Sequence, residues 1–83
     1  MKHLQILTLI IERAHAAGVA DAKKSGNPKD FYLFCCQEED SGRPNNKAHE
    51  IVVETVAPVT WNRYIRKAEW AYMEGVKMAC WNL

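Results

Sequence analysis

Three cysteines and three histidines are the side chains of this chain most suited to bind a metal ion or attack a substrate. Cys35 and Cys36 are adjacent, whereas structural zinc sites usually present ligand pairs about two to four residues apart. Neighbouring thiols on a strand would also point to opposite faces. We therefore expect no metal site and no cofactor, with the cysteines packed as small apolar side chains.

No set of residues forms the pattern of a known catalytic centre. A pairing of Cys35 or Cys36 with His49 lacks the local context that activates a thiol. The carboxylate run that begins at Glu38 places like groups together in solvent, whereas acid–base catalysis needs two groups in different environments. None of the four glycines stands in a phosphate-binding pattern. The chain is therefore predicted not to be an enzyme.

The most informative segment is the last quarter, Trp61 to Leu83, which is rich in aromatic and cationic residues. At about 100° per residue, Tyr64 and Tyr72 fall within one apolar stripe and Trp70 falls on the opposite side. An amphipathic helix needs one such stripe to join a fold, so a tryptophan on the polar side indicates a binding surface. The alternative is that Trp70 completes a small core beneath a loop or the first helix.

We predict a protein-binding surface around Trp70, because tryptophan, methionine and arginine are enriched at the centres of protein interfaces. Its helical neighbours have the spacing that lets one edge of a helix enter a groove. The acidic run would steer a basic partner. The predicted partner-binding residues are Arg63, Arg66, Trp70, Met73, Lys77 and Trp81 in this segment and Glu38, Glu39 and Asp40 in the acidic run.

The contrasting hypothesis is nucleic-acid binding. Arg63, Arg66, Lys67 and Lys77 would bind phosphates, and Trp70 would stack on a base. The formal net charge of +1 argues against it, because a nucleic-acid-binding domain generally has a clear basic excess.

Helices are predicted near both ends of the chain. Residues 2 to about 17 are apolar over more than half of the helical wheel, so this helix must be buried on several sides or meet a second chain. Gly18 can end it, although Val19–Lys24 could continue it. The final helix is predicted from Trp61 to about Cys80, with Thr60 as its cap.

The two apolar segments between these helices are predicted to be strands. Phe31–Cys36 is dense in aromatic residues and Ile51–Val56 in β-branched residues. A competing interpretation makes the first segment a short helix, because Asn27 and Pro28 form a helix start. The polar residues 37–48 are predicted to be a long mobile loop.

These elements predict a single α+β domain, residues 1–83, of order α-β-β-α. A two-stranded antiparallel hairpin would pack on two helices, and the alternative is a small all-α bundle. The 83-residue length suits one domain, and apolar and charged contents of 48% and 25% are typical of a globular chain.

The predicted location is the cytoplasm. An odd number of cysteines, two of them adjacent, indicates reduced thiols. The apolar run Leu4–Ile11 faintly resembles a secretory signal, but Glu12 and Arg13 separate it from the small residues that follow. No run is long enough to span a bilayer, so no membrane partner is expected.

Together these features predict a small accessory or inhibitor protein, for instance of a phage or mobile element, that binds another protein. The apolar first helix also suggests that the protein could associate with itself as a homodimer.

Overall fold

The computed structural model describes residues 2–81, so residues 1, 82 and 83 of the predicted domain lie outside it. Within this range the chain forms four α-helices and no strand. They are α1 (His3–Lys24), α2 (Pro28–Asp40), α3 (Asn46–Thr55) and α4 (Trp61–Trp81), with a single 3₁₀ turn at Pro58–Thr60 before α4. The protein is therefore a small all-α bundle, and the predicted α+β fold with a β-hairpin is wrong.

The first predicted strand, residues 31–36, lies within α2. The side-chain oxygen of Asn27 accepts a hydrogen bond from the backbone N–H of Asp30 at 3.2 Å, and Pro28 occupies the first helical position. These two residues satisfy the requirements of a helix N-terminus before the aromatic run begins. The helical interpretation of this segment is therefore the correct one.

The second predicted strand, residues 51–56, mostly lies within α3. The side chain of Asn45 accepts a hydrogen bond from the N–H of Ala48 at 3.0 Å and caps this helix. Ile51 and Val52 are buried, so tertiary packing offsets the weak helix propensity of β-branched residues. The polar loop expected over residues 37–48 is much shorter, because only residues 41–45 connect α2 to α3.

The helices α1 and α4 run parallel and pack backbone against backbone. A Cβ atom on Gly18 would lie 2.1 Å from the carbonyl oxygen of Tyr72, and one on Gly75 would lie 2.1 Å from that of His15. Only glycine permits two backbones to approach this closely. Gly18 therefore does not end α1. A small residue stands four positions before and after each glycine, in the sets Ala14, Gly18, Ala22 and Ala71, Gly75, Ala79, and all six are buried.

The two shorter helices run antiparallel to α4, one after the other. At the start of α2, the Sγ of Cys80 donates to the carbonyl oxygen of Pro28 at 3.1 Å. In α3, His49 lies 3.9 Å from Glu69, near the middle of α4. Consequently α2 lies along the C-terminal half of α4 and α3 along its N-terminal half.

The final helix was predicted within one residue of its observed end. Thr60 is the last residue of the 3₁₀ turn, and its hydroxyl donates to the carbonyl oxygen of Ala57 at 2.8 Å. Among the helices of residues 2–81, none has both the length and the apolar composition that a bilayer crossing requires.

The α1–α4 contact predicts the effect of replacing Gly18 with alanine. Gly→Ala in a helix normally stabilises a protein by up to about 1 kcal/mol. Here the added methyl group meets the backbone of α4, so Gly18→Ala should lower the free energy of unfolding by about 2 kcal/mol or more. Urea unfolding followed by circular dichroism measures the change.

Ala16→Val is the matched control, because residue 16 is exposed on the same helix. It should cost less than about 1 kcal/mol. An unchanged or increased stability of Gly18→Ala would contradict the proposed backbone contact.

Candidate functional site

A groove lies between α2 and α4 in the described residues 2–81. It continues along residues 42–47 to His49, and its volume is about 1240 Å³. We call it the α2–α4 groove. Its lining includes the apolar and aromatic side chains Phe31, Phe34, Cys35, Trp70, Tyr72 and Met73.

The groove exists because α2 is only lightly attached to the other helices. Of its residues only Pro28 is buried. Phe31 and Cys35 pack partly against the core. The six consecutive apolar residues that begin at Phe31 extend around the whole helix, so one core cannot cover them all. Leu33 and Phe34 remain 58% and 54% exposed.

Trp70 forms part of the opposite wall and is 57% exposed. The buried residues of α4, such as Tyr64 and Ala68, lie on the side of the helix that faces α1. Trp70 therefore lies in solvent in the single chain, on the side of α4 where the helical wheel places it. The alternative prediction, in which Trp70 completes the core, does not agree with this exposure.

Seven of the nine residues predicted to bind a partner line the groove, namely Arg66, Trp70, Met73, Lys77, Glu38, Glu39 and Asp40. The other two do not. Arg63 lines a smaller pocket of about 390 Å³ together with His3 and Tyr64. Trp81 is 77% exposed and lines neither pocket.

Sequence reasoning missed the contribution of Phe31 and Phe34, whose ring centroids lie 6.4 Å apart. The helix start at Asn27 was the available indication. Once residues 31–36 are helical, Phe31, Phe34 and Glu38 share one face at the i, i+3, i+7 spacing.

Charges of both signs line the groove. The carboxylates are Glu38, Glu39, Asp40, Glu69 and Glu74, and the cations are Arg43, Lys47, Arg66 and Lys77. Some of them pair within the chain: Arg43 with Glu38, and Lys77 with Glu74 at 3.5 Å. Within residues 2–81, Glu39, Asp40 and Arg66 form no ion pair, so these charges remain free for a ligand.

Tyr72 and Cys35 are the titratable groups most changed by their surroundings. Burial raises the pKa of Tyr72 above its ordinary value, and its hydroxyl also donates to Oδ2 of Asp21 at 2.6 Å. Burial, followed by the neighbouring Cys36, raises the pKa of Cys35 to about 11. A thiol with so high a pKa is almost fully protonated at neutral pH and is a weak nucleophile.

No group of three or more histidine, cysteine or acidic side chains in residues 2–81 is arranged to hold a metal ion. Cys35, Cys36 and Cys80 are free thiols. Cys80 is buried, with its Sγ on the carbonyl oxygen of Pro28. Its visible role is to attach the start of α2 to α4.

The bond between Tyr72 and Asp21 predicts a pH dependence of stability. The raised pKa means that the folded state holds the Tyr72 proton more tightly than the unfolded state, whose pKa is near 10.0. This contribution is complete below pH 10.0 and is lost as the pH rises above it. Tyr72→Phe should therefore show a shallower loss of stability at alkaline pH than the wild type, measured by urea unfolding at several pH values. Equal slopes for the two proteins would contradict the assignment.

The exposure of Trp70 predicts that its removal hardly affects folding. Trp70→Ala should lower the free energy of unfolding by less than about 1 kcal/mol. Trp61 is the matched control, because it packs against the core and its Nε1 donates to the carbonyl oxygen of Val56 at 3.0 Å. Trp61→Ala should cost about 2–3 kcal/mol. Similar losses in the two variants, measured by thermal and urea unfolding, would show that Trp70 is part of the core.

Comparisons with known proteins give no match among protein-family models, curated proteins or solved structures. The α2–α4 groove is therefore interpreted from its own geometry and chemistry.

Proposed function

We propose that this chain is a non-enzymatic protein-interaction module, a small accessory or inhibitor protein that holds an amphipathic helix of a partner in the α2–α4 groove. The observation that carries the proposal is the exposure of Trp70 and Phe34 on facing walls of one groove. Exposed aromatic side chains in a concave surface are typical centres of protein interfaces.

The size of the groove supports a macromolecular ligand. Its volume of about 1240 Å³ exceeds the roughly 300–1,000 Å³ of most small-molecule pockets. The 13 residues of α2 give it a wall about 20 Å long, the length of a helix of about four turns. A helix that enters such a groove presents apolar residues at i, i+3, i+4 and i+7.

The charges favour protein over nucleic acid as the ligand. Two of the four cations of the nucleic-acid hypothesis lie outside the groove lining, since Arg63 lines the smaller pocket and Lys67 lines neither pocket. The other two, Arg66 and Lys77, share the groove with Glu69 and Glu74. Carboxylates repel phosphates, whereas a protein ligand can supply a charge of either sign.

The raised pKa of Cys35 argues against this thiol as a nucleophile, because a thiol must ionise to react. The proposed location remains the cytoplasm. Three free thiols, two of them partly exposed on α2, suit a reducing compartment.

The proposal predicts that capture of a partner depends on the groove. Immobilised wild-type protein should retain a partner from a lysate of the cells that encode it, as identified by mass spectrometry. Phe34→Ala and Trp70→Ala should each weaken that capture by about 30-fold, the effect of losing an interface anchor.

The matched controls are Leu33→Ala and Trp81→Ala, which remove exposed side chains of the same helices outside the groove lining. They should retain the partner, also after nuclease treatment and at raised salt, where phosphate contacts would be lost. Equal loss in groove and control variants would contradict a groove-based function. Loss of all capture on nuclease treatment would favour nucleic acid.

A further inference from the structure

The smaller pocket, of about 390 Å³, lies at the end of the bundle where α1 and α4 begin. The start of α1, the end of α3 and the connection into α4 enclose it, because its lining includes His3, Thr55 and Thr60. This volume is within the roughly 300–1,000 Å³ of small-molecule pockets. No lining residue is shared with the α2–α4 groove, so the pocket is a separate feature.

The charged groups of the smaller pocket favour an anion. Its lining contains Arg63 of α4 and His3 of α1 but no carboxylate. A third cation lies at its edge, since Nη1 of Arg13 donates to Oγ1 of Thr55 at 3.2 Å. Glu54, next to Thr55 in the chain, is outside the lining. Within residues 2–81 the guanidinium of Arg63 has no ion-pair partner and is free for a ligand.

The contact between His3 and Tyr64 determines which ring nitrogen of His3 can donate to that ligand. Nδ1 of His3 lies 2.7 Å from the hydroxyl oxygen of Tyr64. Tyr64 is buried, and its hydroxyl has no other hydrogen-bond partner within residues 2–81. Because a buried hydroxyl donates its proton to the acceptor within reach, it donates to Nδ1 of the neutral ring. The ring proton is then on Nε2, and a protonated ring carries a proton there as well.

The remaining lining residues suit an organic molecule better than an inorganic ion. Ile6, Val56 and Ala57 supply apolar surface. The hydroxyl of Thr60 donates to the carbonyl oxygen of Ala57 at 2.8 Å, so its oxygen still has capacity to accept a hydrogen bond. Apolar walls with a few placed polar groups are typical of small-molecule sites.

The backbone adds to the positive potential that these side chains produce. Since α1 and α4 run parallel, the positive ends of their dipoles meet at this end of the bundle. Neither of these two helices has an acidic residue in its first turn to offset that charge.

We propose that the smaller pocket binds a small organic anion. Its carboxylate or phosphate group accepts hydrogen bonds from Arg63 and from Nε2 of His3, and its apolar part packs against Ile6 and Val56. The planar guanidinium can donate two parallel hydrogen bonds to either kind of group. This binding activity is additional to the proposed function and does not rest on it, because the two sites share no residue.

A titration followed by NMR spectroscopy tests the site. Benzoate and phenyl phosphate are the probes, and benzamide is the neutral control with nearly the shape of benzoate. Benzoate, phenyl phosphate or both should shift the resonances of His3, Arg63 and Tyr64, whereas benzamide should not. The anion that binds more tightly shows whether the site prefers a carboxylate or a phosphate.

Arg63→Gln should raise the dissociation constant of the bound anion about tenfold or more, because the charge and the paired donors are lost. Lys67→Gln is the matched control, since it removes one positive charge from an exposed position of the same helix outside the pocket lining. It should bind the anion as the wild type does. Circular dichroism checks that both variants remain helical.

The proposal is overturned if neither anion shifts these resonances at millimolar concentration, or if benzamide binds as tightly as benzoate. It is also overturned if Lys67→Gln weakens binding as much as Arg63→Gln, because attraction would then reflect net charge alone. Trp70→Ala should leave anion binding unchanged, whereas Arg63→Gln should leave capture of a protein partner unchanged. Failure at one site is therefore distinguished from failure at the other.

Discussion

The rest of the structure depends on the contact between α1 and α4 at Gly18 and Gly75. At this crossing each glycine lies against a backbone carbonyl of the other helix, with no room for a side chain. The contact buries the stripe of α4 that contains Tyr72 and Val76. It thereby directs the opposite side of α4, with Trp70, towards solvent.

The two shorter helices, α2 and α3, pack against this pair to different extents. Val52 of α3 is fully buried together with Ile10 and Val76, so α3 belongs to the core. In contrast, α2 buries only Pro28 and keeps much of its aromatic run in solvent. This unequal packing produces the α2–α4 groove, because a helix with more buried contacts would close against α4.

The sequence predicted α4, including its bounds and the side on which Trp70 lies, because a long amphipathic helix has a clear 3.6-residue period. It failed for α2 and α3, whose aromatic and β-branched residues favour strands over short windows. The caps at Asn27 and Asn45 decide these two segments, and each depends on a single side-chain hydrogen bond. The close approach at Gly18 was not predictable from one helix alone, since it needs a glycine at the facing position of another helix.

The groove residues on α4 were predictable for the same reason as α4 itself, whereas Phe31 and Phe34 depended on the conformation of α2. Arg63 and Trp81 share the exposed stripe of α4, yet they lie beyond the stretch that α2 and the following connection enclose. Helical periodicity identifies a face of a helix. The length of that face that forms a site depends on the neighbouring helix.

The helix α2 is attached to the rest of the protein more firmly near its start, where Pro28 is buried and Phe31 packs against the core, than at its end. The hydrogen bond from Cys80 to Pro28 fixes the spacing of the walls at the start. At the other end, the connection of residues 41–45 contains Gly42 at a positive φ of 73° and no buried residue. The clearance between the walls is therefore determined most loosely near Asp40. The groove lining near Asp40 is mostly charged, so a ligand should be selected there mainly by its charge.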